Sequence, residues 1–146
     1  FIPLAQELEN KFDYILPKKI FISRKGAKVR RMINEDEVFA IFEKQGFKRF
    51  LLEHLSILEQ IILFKNAEII VAPNGSSLTN MIFCKPETRI VEIFGARSDC
   101  CFYFLAQTLG IKNYQYIQTM KFEHIGGLYD TLVPLDIIQN FVDNNL

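Results

Sequence analysis

Apolar positions along this chain follow two different patterns. Short runs with consecutive apolar positions are typical of strands buried on both faces of a parallel sheet. Longer stretches with an apolar residue at every third or fourth position are typical of amphipathic helices. The first pattern predicts five strands, near Ile20–Ser23, Arg49–Leu52, Ile69–Ala72, Ile90–Ile93 and Tyr114–Gln118.

Helices are predicted before, between and after these strands. Phe1–Tyr14 carries apolar residues at helical spacing, and Pro17 follows it as a helix terminator. The other predicted helices span residues 34–46, 56–67, 77–84, 98–110 and 134–146. A loop is predicted over Lys121–Val133, which contains Gly126 and Gly127.

Several of the predicted helices have recognisable ends. The predicted N-caps, whose side chains can accept from a free amide of the first turn, are Asn34, Ser56 and Ser98. Glu59 stands three residues after Ser56, which completes a capping box. Glu35 and Glu37 lie in a first turn, where the helix dipole favours acidic side chains. Gly46 and Gly110 are predicted helix stops.

Regular alternation of strand and helix predicts an α/β fold. The expected architecture is a Rossmann-like three-layer sandwich, with a five-stranded parallel sheet and helices on both faces. Two simple strand orders fit, 2-1-3-4-5 and 3-2-1-4-5. We prefer the first, because it places the basic loop after the first strand beside the end of the third, where ligands bind in such folds. The length of 146 residues predicts one domain over residues 1–146.

The cysteine count, the length of the apolar runs and the first residue indicate where the protein acts and whether the chain is complete. The three cysteines are too few and too uneven in number for a disulfide framework, which favours a reducing compartment. No apolar run is long enough to span a bilayer. We therefore expect a cytoplasmic protein, with peripheral attachment to the inner membrane left open. Since the chain does not begin with Met, we expect it to be a piece of a longer one.

Charge is balanced overall but unevenly placed. The segment Lys18–Arg31 holds seven basic residues and no acid, whereas the remainder holds ten basic and seventeen acidic residues. A single basic segment in a neutral protein favours a local anion site over a nucleic-acid interface, which spreads across a larger basic surface. The alternative is a solvated basic loop.

The segment Asn74–Thr79 is the strongest candidate for chemistry. It leaves a buried strand and enters a helix, whose first amide groups are unpaired and suited to phosphate. Gly75 allows close approach, and Ser76, Ser77 and Thr79 offer hydroxyls. Arg24, at the end of the first predicted strand, could close the other side with forked hydrogen bonds. The alternative is a tight turn with a serine N-cap.

The order of motifs resembles glycosyltransferase family 61. The shared features are a strand ending in Ser-Arg, an Arg-Arg-x-x-Asn-Glu helix start, a Gly-Phe strand, a Glu-Gln helix, a small-residue elbow ending in Leu-Thr-Asn and a strand with a late Glu. They cover Lys19 to Phe94, about half of the chain. The positions that match the family pattern are Ser23, Arg24, Arg30, Arg31, Asn34, Glu35, Gln60, Gly75, Leu78, Thr79, Asn80 and Glu92. Three elbow positions depart from it: Asn74 replaces His, Ser76 replaces Ala and Ser77 replaces Gly.

This resemblance implies a transferase of the GT-B type with two Rossmann-like halves, of which this chain would be the C-terminal, donor-binding half. The implied reaction moves a sugar from a nucleotide-sugar donor, UDP-type by preference, to a polysaccharide or glycan acceptor, as in capsular polysaccharide biosynthesis. The expected partners are the donor, the acceptor and the missing N-terminal half, with no nucleic acid and no further cofactor. The expected donor-binding residues are Ser23, Arg24, Arg30, Arg31, Asn34, Asn74, Gly75, Ser76, Ser77, Leu78, Thr79, Asn80 and Glu92. The catalytic base is left unassigned.

Several other side chains receive weaker roles. Glu92 could accept from two ribose hydroxyls, or it could be a surface acid at a strand end. His54 and His124 are predicted to be structural or surface residues. No Asp-x-Asp metal motif is present, and basic side chains can balance a pyrophosphate without metal.

Two further functions stay open at this point. One is a non-catalytic module that binds a nucleotide or phosphate. The other is an interaction domain like a response regulator, which shares the preferred strand order. The second fits poorly, because Ser23 and Arg24 stand where such a domain has its acidic pair.

Overall fold

The computed structural model describes residues 16–95, 99–119 and 130–146. Five parallel strands form one sheet: β1 Lys19–Ile22, β2 Lys48–Phe50, β3 Ile69–Pro73, β4 Arg89–Phe94 and β5 Asn113–Gln118. The sheet has the order β2-β1-β3-β4-β5. The α/β class, the parallel sheet and the order 2-1-3-4-5 are confirmed, and each strand lies within two residues of its predicted position.

Four α-helices and a 3-10 helix accompany the strands in the described residues. They are α1 Glu35–Glu43, α2 Ile57–Asn66, the elbow helix Ser76–Phe83, α3 Cys101–Thr108 and α4 Leu135–Asn145. The elbow helix is a 3-10 helix. A second, three-residue 3-10 turn, Leu52–His54, follows β2. The predicted helix Phe1–Tyr14, the Ser98 cap, His124 and the Gly126–Gly127 loop lie outside the described residues.

Alternate side chains of the strands build two separate cores. Ile20 and Ile22 of β1 pack with α2 and the elbow helix on one face of the sheet. Phe21 of β1 packs on the other face with α1 and α4. This alternation follows from the pleat of a strand, in which successive side chains point to opposite faces. Both faces are buried, as the apolar runs of the sequence predict.

The predicted cap and stop residues behave as expected at some helix ends and not at others. Ser56 and Glu59 form the full capping box at the start of α2. Gly46 and Gly110 adopt left-handed φ values of 86° and 71° beyond the ends of α1 and α3. Asn34 precedes α1 but its side chain makes no cap hydrogen bond, so that prediction is wrong. Its amide instead donates to the Val133 carbonyl at 2.8 Å and accepts from the Val133 amide at 2.9 Å.

Candidate functional site

A cleft of about 490 Å³ lies beyond the carboxyl ends of β1 and β3. These two strands are neighbours in the sheet, and the loops that follow them diverge at this point. The residues that line the cleft come from the β1 loop, the 3-10 turn after β2, α2 and the elbow helix: Ser23, Arg24, Gly26, Ala27, Leu52, Glu53, Gln60, Ser76, Ser77 and Asn80. The strand order therefore joins the basic loop to the elbow, as expected.

Arg24 lies directly against Gly75 at the start of the elbow. A Cβ atom on Gly75 would stand 1.8 Å from Nη1 of Arg24, so no side chain fits there with the guanidinium in place. Nη1 makes a long contact of 3.4 Å to the Asn74 carbonyl, and Nη2 makes one of 3.4 Å to the Val29 carbonyl. The absence of a side chain at Gly75 thus lets the guanidinium occupy the mouth of the elbow helix.

In the part of the chain that the structure describes, two polar atoms of the cleft are buried without a hydrogen-bond partner: Nε of Arg24 and Oγ of Ser77. Burial lowers the pKa of Arg24, and nearby Arg30 lowers it further, while Glu35 and Glu53 act in the opposite direction. A buried donor without a partner costs about 1–3 kcal/mol. The cleft therefore presents a cation and a hydroxyl that an anionic ligand could satisfy.

The backbone that carries Arg24 is fixed by a buried carboxylate. Glu35, in the first turn of α1, is 1% exposed. One of its oxygens accepts from the Ser23 hydroxyl, and the other accepts from the Arg24 amide at 2.8 Å. The Ser23 hydroxyl also accepts from the Lys25 amide at 3.1 Å. Glu35 thus fixes the β1 loop in addition to lying where the helix dipole favours an acid.

Glu92 and Tyr114 support Asn74 from beneath the elbow. Glu92 is 0% exposed, and its Oε1 accepts from the Asn74 side-chain amide at 2.7 Å. The Tyr114 hydroxyl donates to the other oxygen. Burial raises the pKa of Glu92, while the hydrogen bonds from Tyr114 and Asn74 partly offset this effect. Glu92 is therefore not a surface acid, and each of its oxygens accepts a hydrogen bond from a protein group.

Gln60 links the elbow helix to the turn after β2. Its Nε2 donates to the carbonyls of Leu52 and Leu55 at 3.0 and 3.1 Å. Its Oε1 accepts from the Asn80 side chain at 2.9 Å. Both donor hydrogens and the carbonyl of this amide are used. Gln60 therefore holds the two walls of the cleft at a fixed separation.

Other predicted site residues lie away from the cleft lining. Arg31 pairs with Asp130, with Nη2 and Oδ2 2.6 Å apart, and this carboxylate raises the pKa of Arg31. Asn34 is tied to Val133, as described above. Leu78 is fully buried in the core on the α2 side of the sheet. Thr79 is exposed on the elbow helix.

Four residues of this site are not among the donor-binding residues predicted from the sequence. Glu35 and Gln60 matched the family pattern, so that signal could have placed them in the site. Glu53 and Tyr114 gave no local signal, because their relation to the elbow depends on β2 and β5 lying at the two edges of the sheet, outside β1 and β4. His54 is exposed, as expected. No described helix is long and apolar enough to cross a bilayer.

Comparison of the sequence with known proteins shows which family this chain resembles. A family model described as Glycosyltransferase 61 matches residues 2–91. An EGF domain-specific O-linked N-acetylglucosamine transferase of Drosophila melanogaster is 28% identical over 95 residues, which cover 63% of this chain and 18% of that protein. A beta-1,2-xylosyltransferase of Arabidopsis thaliana is 33% identical over 84 residues, which cover 48% of this chain and 16% of that protein.

The matched stretch spans less than a fifth of the length of either curated relative. The family model, over residues 2–91, contains β1 to β3, the elbow and the start of β4, and hence every described residue that lines the cleft. Because the family model covers more than half of the chain and includes this cleft, the chain belongs to glycosyltransferase family 61.

Proposed function

We propose that the cleft binds the diphosphate of a nucleotide-sugar donor, of the UDP type, and that the chain is the donor-binding half of a GT-B transferase. The observation that carries this proposal is the pair of buried, unpartnered atoms, Arg24 Nε and Ser77 Oγ, in one cleft at the start of the elbow helix. A phosphate group supplies acceptors to both. The free amides at the beginning of a helix add further donors.

The chemistry of sugar transfer fits these groups. Negative charge develops on the leaving diphosphate, and donors already in place stabilise it without reorganisation. Glu35 fixes Arg24 by accepting from its backbone amide, and the guanidinium of Arg24 lies against Gly75. In this proposal a metal ion is not required, and the general base and the acceptor site come from a part of the protein beyond this domain.

The acceptor is proposed to be a glycan or polysaccharide, including the capsular type. Both curated relatives are named as glycosyltransferases, one for N-acetylglucosamine and one for xylose. We extend only the class of reaction to this chain, since the two relatives are named for different sugars.

A non-catalytic nucleotide-binding module is the second candidate. One observation favours it: Asn74 stands where the family pattern has His, and its amide donates to the buried Glu92 carboxylate. Asn cannot take up a proton as His can. If the His at this position transfers a proton in other family members, this chain with Asn74 can still bind the donor but cannot carry out that proton transfer.

The test is a calorimetric titration of UDP in low salt into wild type, Arg24→Ala and Lys25→Ala. Lys25 is the matched control, because its ammonium lies 2.6 Å from Asp36 in an exposed ion pair and does not line the cleft. Loss of a charge-assisted hydrogen bond costs about 1.5–3 kcal/mol, so Arg24→Ala is expected to weaken UDP binding roughly ten- to a hundred-fold. Lys25→Ala is expected to bind within about two-fold of wild type.

Equal affinity of wild type and Arg24→Ala for UDP would place the diphosphate elsewhere. Sugar transfer by the full-length protein separates the two candidates. The transferase predicts turnover of a UDP-sugar with a glycan acceptor, whereas the binding module predicts UDP affinity without turnover.

A further inference from the structure

Among the described residues that line the cleft, Glu53 provides the single carboxylate. It lies in the 3-10 turn after β2, on the wall that faces the β1 loop. A Cβ atom on Gly26 would stand 1.9 Å from Oε1 of Glu53, so the carboxylate rests against the backbone of that loop. Within residues 16–95, 99–119 and 130–146, it makes neither a hydrogen bond nor an ion pair within 4.0 Å. With respect to the described residues, both oxygens of its carboxylate are therefore available to accept hydrogen bonds from a ligand.

The position of Glu53 is defined by its neighbours. Gln60 donates to the carbonyl of Leu52 on one side of Glu53 and to that of Leu55 on the other. The same amide accepts from Asn80 of the elbow helix. The turn that carries Glu53 is thus fixed relative to the wall that carries Ser76 and Ser77.

The cleft has opposite charges on its two sides. Arg24 and Ser77 present donors at the elbow, and Glu53 presents acceptors at the other wall. Glu53 is near enough to raise the pKa of Arg24, yet the two side chains do not form a direct ion pair within 4.0 Å. A ligand that spans this gap needs an anionic end for Arg24 and a hydrogen-donating end for Glu53.

A nucleotide sugar has both of these ends. Its diphosphate carries the charge, and its ribose and sugar rings carry adjacent hydroxyls. A carboxylate has two oxygens and accepts from two such hydroxyls at once. Glu92, which the sequence suggested for this role, is fully buried and already accepts from Asn74 and Tyr114.

We propose that Glu53 is a specificity-determining residue that accepts hydrogen bonds from a pair of adjacent hydroxyls of the donor. This inference rests on the proposed function, because it takes the diphosphate to lie at Arg24. It fixes the direction of the donor in the cleft, with the phosphates at the elbow and a hydroxyl-bearing ring at the 3-10 turn. Either ring of the donor, ribose or sugar, can supply the hydroxyls.

The test measures binding of four probes to wild type, Glu53→Ala, Arg24→Ala and a control, Glu87→Ala. The probes are inorganic pyrophosphate, UDP, a UDP analogue without the two ribose hydroxyls, and UDP-N-acetylglucosamine. Glu87 is an exposed acid just before β4, at the opposite end of the sheet from the cleft. Since Glu53 is also exposed, its replacement is expected to leave the fold intact.

If ribose supplies the hydroxyls, Glu53→Ala weakens UDP binding about ten-fold, and removing the ribose hydroxyls has the same effect on wild type but none on the variant. If the sugar supplies them, UDP binds both proteins equally and UDP-N-acetylglucosamine loses about ten-fold in Glu53→Ala. In both cases pyrophosphate binds Glu53→Ala at least as well as wild type, because an anionic neighbour has been removed. Glu87→Ala is expected to match wild type throughout.

Two results would overturn the assignment of Glu53 while leaving the proposed function standing. One is wild-type affinity of Glu53→Ala for all four probes. The other is a loss of pyrophosphate binding as large as the loss of UDP binding, which would show that Glu53 acts on the phosphate end. If UDP and pyrophosphate bind Arg24→Ala as tightly as wild type, or bind neither protein, the proposed function and this inference fall together.

Discussion

Gly75 matters because it has no side chain. Its φ of 164° and ψ of 170° describe extended backbone, which other residues can adopt. The constraint is the guanidinium of Arg24, which occupies the space where a Cβ would lie. The sequence suggested that Gly75 allows a phosphate to approach, whereas the structure shows that it first allows Arg24 to approach.

Gly75→Ala is therefore expected to weaken UDP binding with little change in stability. The added methyl group displaces the flexible end of Arg24, so the free energy of unfolding should change by less than about 1 kcal/mol. UDP titrations of Gly75→Ala, Arg24→Ala and the double variant check this. The losses should overlap, since both changes act through one guanidinium. Additive losses would contradict this account.

Glu92 is expected to make stability depend on pH. Burial raises its folded-state pKa above the ordinary value of 4.5, and Asp99 acts in the same direction. A raised pKa means that the folded protein holds this proton more tightly than the unfolded chain. The contribution to stability is thus fully present below the unfolded pKa and is lost as pH rises through the folded pKa.

Relative to Glu92→Gln, the wild-type free energy of unfolding should therefore fall with rising pH, by at most about 1.4 kcal/mol per pH unit. Denaturant unfolding from acid to neutral pH measures this difference. The exposed Glu87→Gln is a control whose pH profile should run parallel to wild type. Parallel profiles for wild type and Glu92→Gln would mean that the Glu92 pKa is not raised.

The helices and strands are set largely by local sequence, but their mutual spacing is not. The capping box of Ser56 and Glu59 involves neighbours in the chain, and both of its hydrogen bonds form as predicted. The link from Gln60 to Asn80 joins α2 to the elbow helix across 20 positions of sequence. Links of this kind determine the width of the cleft.

Gln60→Ala is expected to destabilise both walls of the cleft locally while the sheet stays folded. It removes the donors to the carbonyls of Leu52 and Leu55 and the acceptor for Asn80. The global cost should be about 1–3 kcal/mol, because the carbonyls are partly buried. Amide hydrogen exchange should accelerate in residues 52–55 and 76–83 and stay slow in β3 and β4.

Gln139→Ala is the matched control for this experiment. Its amide bonds Asp143 within the exposed face of α4, so exchange in the cleft should be unchanged. Uniform acceleration of exchange in Gln60→Ala would show global destabilisation instead of a local link.

At the scale of the whole molecule, the cleft is open and one-sided in the described residues. Its lining comes from the β1 loop, the turn after β2, α2 and the elbow helix. Transferases of the proposed GT-B type react between two domains, and this chain covers less than a fifth of each curated relative. A donor bound here would keep its sugar exposed to water.

The purified 146-residue chain is accordingly expected to bind UDP without transferring sugar. The assay incubates the chain with a UDP-sugar and a glycan acceptor and measures glycosylated product. A protein that joins this chain to the proposed acceptor half is the positive control, and UDP titration confirms that the chain is folded and competent to bind. Transfer by the chain alone would mean that the acceptor side is already present in this domain.

The sequence by itself determined the strands and most helix ends, and it favoured, without deciding, the strand order in which Arg24 meets the elbow. These features depend on local periodicity, on turn chemistry and on the rule that ligands bind where a parallel sheet reverses its order. Only the tertiary structure decided which carboxylate is buried and which is free. Glu92 and Glu53 look alike in sequence, but β5 covers the first with Tyr114, while the turn after β2 leaves the second facing the cleft. Burial and pairing depend on contacts between residues distant in the chain, and a single sequence does not encode those contacts in any local pattern.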